Sequence, residues 1–147
     1  MKADAGSPRL PSEKPLAGWF KSQGWKPLPF QRELWRHYLQ GESGLLHTPT
    51  GSGKTLAAFG GPLLEALAKL PVVAKKKNAT RELKVLWITP LKALATDTIR
   101  ALREPIEALG LDWQVGLRTG DASARDKRLA RAGKLDVLVT TPESLSL

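Results

Sequence analysis

Gly51-Ser52-Gly53-Lys54-Thr55 is the stretch of this chain best equipped for chemistry. Glycines let a backbone curl until successive N–H groups face one anion, a conformation side chains resist. The Lys54 ammonium suits the β- and γ-phosphates of ATP, and the Thr55 hydroxyl suits the Mg²⁺ bound with them. Lys54 and Thr55 are therefore candidate catalytic residues, with Thr55 the candidate metal ligand. Thr50, Gly51, Ser52, Gly53, Lys54 and Thr55 form the candidate nucleotide-binding loop. The general pattern asks for a further Gly where Thr48 stands, so the match is incomplete in its strict form. A Gly/Ser turn with an incidental Lys is the bland alternative, and the flanking residues weigh against it.

Such a loop joins a strand to a helix. Leu45-Leu46-His47-Thr48-Pro49 is a short apolar run ending in Thr-Pro, and Leu56, Phe59, Leu63, Leu64, Leu67 and Leu70 follow as a helical stripe. Gly60-Gly61-Pro62 is expected to kink or interrupt that helix. The pattern recurs at Val85-Leu86-Trp87-Ile88-Thr89-Pro90 and at Val137-Leu138-Val139-Thr140-Thr141-Pro142. Each run has the length of a strand buried on both faces, and Thr-Pro suits a strand exit into a helix. Alternating strands and helices imply an α/β fold with a parallel sheet. Three helix amino-termini would then point unpaired N–H groups at one sheet edge, where anions bind.

Around these runs, Phe30 to Gln40 reads as an amphipathic helix ended by Gly41. A second helix spans about Lys92 to Leu109, bent or restarted near Pro105, and Gln114 to Arg118 reads as another strand. Ser123-Ala-Arg-Asp126 resembles a capping box opening a basic helix that Gly133 closes. The polar residues 1–14, with Pro8 and Pro11, read as a flexible leader, and the basic run at 75–78 as a solvated loop.

The 147 residues suffice for one compact domain with a real core. No apolar run is long enough to span a bilayer, and the first residues lack a secretory apolar region. There are no cysteines, which excludes disulfides and thiolate metal sites and makes the cytoplasm the expected compartment. The net charge of +9 favours polyanionic partners. It is spread along the chain: residues 1–73 hold 9 basic against 5 acidic side chains, and residues 74–147 hold 14 against 9.

Taken in order, these motifs resemble the superfamily 2 DExH-box helicases, most closely the Lhr-type, ligase-associated DNA helicases. A Thr-Pro-Thr-Gly-Ser-Gly-Lys-Thr loop lacking the first Gly looks like that superfamily's motif I. Pro29-Phe30-Gln31 is similar to its Q motif, which implies that Gln31 reads the adenine edge; taken alone, Gln31 would be an exposed helix residue. Phe20, Trp25 and Phe30 are the aromatics to consider for stacking on adenine. Thr89-Pro90-Leu91-Lys92-Ala93-Leu94 looks like motif Ia, Arg118-Thr119-Gly120-Asp121 like motif Ib, and Thr140-Thr141-Pro142-Glu143-Ser144-Leu145 like motif Ic. The resemblance implies nucleic-acid contacts at Pro90, Lys92, Arg118, Thr119, Gly120, Thr141, Pro142, Glu143 and Ser144. It covers roughly residues 25–147 and implies an incomplete RecA-like P-loop NTPase domain, the first part of motor domain 1. The expected division is residues 1–14 as leader, 15–40 as Q-motif region, and 41–147 as the amino-terminal part of the ATP-binding domain.

The implied activity is ATP-dependent translocation on single-stranded DNA, with RNA as the other substrate in view and a DNA ligase and a nuclease as implied partners. The acidic Asp-Glu-x-His motif does not occur before Leu147, and Asp121, Asp126 and Asp136 do not replace it. The expectation is that the 147-residue chain alone hydrolyses ATP negligibly and leaves a hydrophobic strand unpaired. Two readings compete: a phosphate-loop ATPase or kinase not acting on nucleic acid, and a non-catalytic nucleic-acid-binding module. The first leaves Gln31 and the Thr-Pro helix starts as coincidences, and the second gives the phosphate loop no purpose.

Overall fold

Proline placement opens the first two helices. Pro15 lies in the first turn of α1 (Lys14–Ser22), and Pro29 begins α2 (Pro29–Leu39), where a missing N–H and a fixed φ favour helix entry. The computed structural model describes residues 9–49, 51–69, 82–119, 124–131 and 133–145. Thr50, Gly120, Asp121, Ser123, leader residues 1–8 and the basic run at 75–78 lie outside the described residues. The chain divides into two compact units, Met1–Leu70 and Pro71–Leu147.

The first unit packs α1 and α2 with α3 (Lys54–Ala68). Leu16, Trp19 and Phe20 form the buried face of α1, and Trp19, Phe20, Trp25 and Trp35 meet edge to face with centroids 5.6–5.9 Å apart. The α2 face that meets α3 carries Gln31, Trp35 and Tyr38, which are spaced i, i+4 and i+7. Gln31 Nε2 donates to Gly53 O at 3.1 Å, Trp35 Nε1 to Leu56 O at 2.9 Å, and the Tyr38 hydroxyl to Glu65 Oε2 at 2.8 Å. The helices approach closely because α3 carries glycine where Trp35 and the Tyr38 ring rest. A Cβ on Gly60 would lie 2.1 Å from Trp35 Nε1, and one on Gly61 would lie 2.6 Å from Tyr38 Cδ1. Of the kink or interruption expected at Gly60-Gly61-Pro62, the interruption is corrected: α3 is one helix with Pro62 inside it. Packing against Trp35 and Tyr38 outweighs the weak helix propensity of that triplet.

The Tyr38 contact supplies a pH signature. Burial first, then the hydrogen bond and negative charge of Glu65, push the phenol up from 10.0 to about 12. Hydrogen bonds from Lys69 and Tyr38 hold the Glu65 carboxyl below its usual range. A phenol whose folded pKa exceeds its unfolded value stabilises the fold fully below the unfolded value of 10.0. That contribution is lost as pH rises towards about 12. Tyr38 is the single tyrosine, so tyrosinate absorbance reports it directly. The expected midpoint is about 12 in the native chain and about 10 in denaturant. A native midpoint equal to the denatured one would mean that the contact does not exist.

The second unit comprises β1 (Val85–Ile88), α4 (Lys92–Ala108), β2 (Val115–Arg118), α5 (Ala124–Arg131), β3 (Val137–Thr140) and the short α6 (Pro142–Leu145). Its strands are parallel in the order β1-β3-β2, with Ile88, Thr140 and Arg118 in register at the carboxyl edge. The central strand is buried on both faces, as a near-continuous apolar run predicts. β1 departs from that expectation: Leu86 and Ile88 remain 45% and 47% exposed. α4 runs through Pro105 as one helix, and Gly133, at φ 62°, closes α5.

The Leu45–Thr48 run does not form the predicted strand, and Leu45 is 93% exposed. A strand exists only through a hydrogen-bonded neighbour, and the described residues give this run none. At the opposite, amino-terminal edge of the sheet, fully buried Asp136 accepts from Lys84 Nζ and from the Gln114 N–H, each at 2.8 Å. Its own carbonyl accepts from the N–H groups of Lys84 and Val85. Asp136 therefore ties the strand entrances together, far from the edge where the motifs lie.

Candidate functional site

The phosphate loop is built by backbone. Gly51 and Gly53 have φ of 77° and 91°, the left-handed region that side chains avoid, and Gly53 caps α3. No side chain caps that helix and no acid sits in its first turn, so its leading N–H groups are available to an anion. Lys54 and Thr55 occupy this turn half-buried. Among the described residues neither side chain is hydrogen-bonded or ion-paired. Ser52 Oγ lies 2.6 Å from Thr48 Oγ1 and donates to Pro49 O at 2.5 Å, folding the loop back on itself. Thr48, which reads as a missing glycine, thus closes the loop through a hydroxyl. Its one sequence signal is the Thr-x-x-x-Ser spacing.

Gln31 differs from the exposed residue it would be on sequence alone. It is 3% exposed, its Oε1 accepts from the Leu28 N–H at 2.8 Å, and its Nε2 reaches the Gly53 carbonyl. The first bond is one half of a capping box at the start of α2. The second attaches α2 to the hinge of the phosphate loop, and a Cβ on Gly53 would lie 2.6 Å from Gln31 Nε2. Of the aromatics named above, Phe20 is buried, Phe30 half-buried and Trp25 exposed.

In the second unit, parallel register gathers the three remaining motifs on one edge. The Thr89 N–H donates to Thr140 O at 2.9 Å, and Thr140 Oγ1 donates to Arg118 O at 2.7 Å. Pro90 and Lys92 follow β1 at the start of α4, Arg118 ends β2 with Thr119 just after it, and Thr141 through Ser144 follow β3. Pro90, Lys92, Arg118, Pro142 and Glu143 are exposed there. Thr119, Thr141 and Ser144 are buried, and the Thr141 hydroxyl donates to Ser144 Oγ at 3.1 Å. The Thr141–Ser144 bond braces the turn after β3 beneath the exposed Pro142 and Glu143. Thr140, read from the sequence only as the first residue of motif Ic, has a further part that sequence reasoning missed: its hydroxyl locks β3 to β2.

The DEAD/DEAH box helicase family pattern matches residues 28–147. The chain belongs to the DEAD/DEAH box helicase family. This helicase chain is 40% identical over 139 residues to the Lhr helicase/probable uracil glycosylase of Mycolicibacterium smegmatis, covering 88% of the chain and 9% of that relative. The solved structure of Mycobacterium smegmatis helicase Lhr bound to ssDNA and AMP-PNP matches with TM-score 0.65 and 38% identity, over 88% of the chain and 17% of that structure. The DUF1998 helicase MrfA bound to DNA and AMPPNP matches with TM-score 0.70 and 26% identity, over 95% and 18% respectively. The fold is that of RecA-like helicase domains, and the chain spans a small part of the length of these relatives.

Proposed function

We propose that this chain is the ATP-binding front of the first motor domain of an ATP-dependent DNA helicase. In that reading, Gly51, Ser52, Gly53, Lys54 and Thr55 hold the triphosphate while the edge formed by β1, β3 and β2 follows one DNA strand. The observation that carries it is the register of Ile88, Thr140 and Arg118, which brings motifs Ia, Ib and Ic onto one edge. The phosphate loop fits the nucleotide: two left-handed glycines precede an uncapped helix start that carries Lys54, with no acid in its first turn. Thr50, outside the described residues, completes the loop in sequence.

Backbone N–H groups at the start of α3 would orient the phosphates, Lys54 would neutralise charge between the β- and γ-phosphates, and Thr55 would hold Mg²⁺. When bound, ATP and Mg²⁺ supply the phosphoryl bond and the charge neutralisation for its cleavage. Gln31 links α2 to the carbonyl of Gly53, so a base resting against α2 would be felt in the loop. In the whole protein, alternate tightening and release of the loop would ratchet the strand held by Pro90, Lys92, Arg118, Thr119, Gly120, Thr141, Pro142, Glu143 and Ser144. The DNA reading is supported by the two solved relatives, one bound to DNA and the other to ssDNA, and RNA is its control substrate. A cytoplasmic site of action and partnership with a DNA ligase and a nuclease belong to the same proposal, tested by co-purification with the full-length protein. Among the described residues, no helix is long and apolar enough to cross a membrane.

The test is the salt dependence of single-stranded DNA binding by the chain. Lys92→Ala should make the slope of log affinity against log salt shallower by roughly 0.7, the value for one phosphate contact on a single strand. An unchanged slope removes Lys92 from the interface, and no binding by the unsubstituted chain refutes the assignment of this edge.

A further inference from the structure

Beyond the strand-end edge, the second unit carries a concentrated cationic surface that the motifs leave unused. α5 has the sequence Ala-Arg-Asp-Lys-Arg-Leu-Ala-Arg, and Arg125, Lys127, Arg128 and Arg131 are all exposed. At about 100° per residue these four occupy one side of the helix. Asp126, Leu129 and Ala130, which are half-buried, occupy the other. The nearby carboxylates Asp126, Glu104 and Glu107 line the groove where α4 and α5 meet over Leu117, so they do not interrupt the basic face. Among the described residues none of the four cations is ion-paired. A surface that merely solvates its helix would mix signs, and this one does not.

Its composition selects the partner. Sites for single strands interleave cations with aromatics on which unstacked bases rest. α5 has no aromatic residue; its outward face presents cationic heads on aliphatic stems. That chemistry suits a duplex, which hides its bases and presents only phosphates. α5 follows β2 in the chain and packs beside it, next to the strand whose end carries Arg118 and Thr119. We infer that the basic face of α5 binds the phosphate backbone of duplex DNA, a second contact separate from the strand-end edge. The inference rests on the nucleic-acid reading of this unit.

The experiment compares a short blunt duplex with a single strand of matching length, both titrated across salt concentrations with the 147-residue chain. The variant Arg125→Gln/Lys127→Gln/Arg128→Gln/Arg131→Gln should flatten the duplex slope by roughly 2–4, at ~0.9 per phosphate contact, and leave the single-strand slope unchanged. Lys92→Ala should do the reverse. Arg125→Lys/Arg128→Lys/Arg131→Lys keeps the charges and should retain duplex binding, which separates charge from folding. An unchanged duplex slope in the glutamine variant, or equal loss on both ligands, overturns the inference. If the unsubstituted chain binds single strands but not duplexes, the inference falls while the proposed function stands. Binding to neither removes both.

Discussion

Lys54→Ala should weaken ATP binding by roughly 10- to 100-fold. An ammonium-to-phosphate interaction is charge-assisted and contributes about 1.5–3 kcal/mol, with about 1.4 kcal/mol for each factor of ten. The loop glycines and the start of α3 supply the remaining donors, so binding should fall rather than vanish. Lys54 is half-buried and, among the described residues, has no protein partner, so the substitution should move folding stability by no more than about 0.5 kcal/mol. Anisotropy of a fluorescent ATP analogue with Mg²⁺, paired with a denaturant melt, separates the two quantities. Undiminished affinity would show that the triphosphate is held elsewhere. A large loss of stability would mean that Lys54 is structural.

Gly60→Ala should destabilise the chain by on the order of 2–3 kcal/mol, even though alanine is the better helix former by about 1 kcal/mol. The new methyl would lie 2.1 Å from Trp35 Nε1, 2.5 Å from Cε2 and 2.8 Å from Cδ1, so the indole or the whole of α2 must move. Moving the indole also breaks its bond to Leu56 O. Gly18→Ala is the control: it lies in α1, a Cβ there meets nothing within 4 Å, and it should stabilise by up to about 1 kcal/mol. A double-mutant cycle with Trp35→Phe isolates the clash, because a smaller ring makes room for the methyl. The two substitutions should then cost less together than separately. Additive losses, or a Gly60→Ala chain as stable as its parent, would remove the close approach of α2 and α3.

Much of the architecture could be read from the chain because its signals were local. The apolar runs at Val85 and Val137, the helix at Phe30 and the glycines of the phosphate loop each carry their own periodicity or backbone requirement. What escaped depends on a partner distant in sequence. Leu45-Leu46-His47 has strand composition, yet strand formation belongs to a pair of segments. Gly60-Gly61-Pro62 looks like a helix breaker until Trp35 and Tyr38 are seen against it. Gln31 has the polarity of a surface residue, and its burial depends on a carbonyl at Gly53, in the loop at the other side of the helix pair. Legibility was highest for the motif order and lowest for the contacts by which one element supports another.

The order β1-β3-β2 also sets a timetable. Among the described residues β1 and β2 do not pair with each other; each pairs with β3, the last of the three to be made. On a ribosome adding about 5–20 residues per second, Val85–Ile88 and Val115–Arg118 emerge as chain without a sheet to join. Both ladders close only when Val137–Thr140 arrives between them, and Asp136, immediately before it, brings the carboxylate that fastens Lys84 and Gln114. The edge that carries Thr89, Arg118 and Thr140 therefore assembles only once Val137–Thr140 has emerged, and both ladders close in that one step.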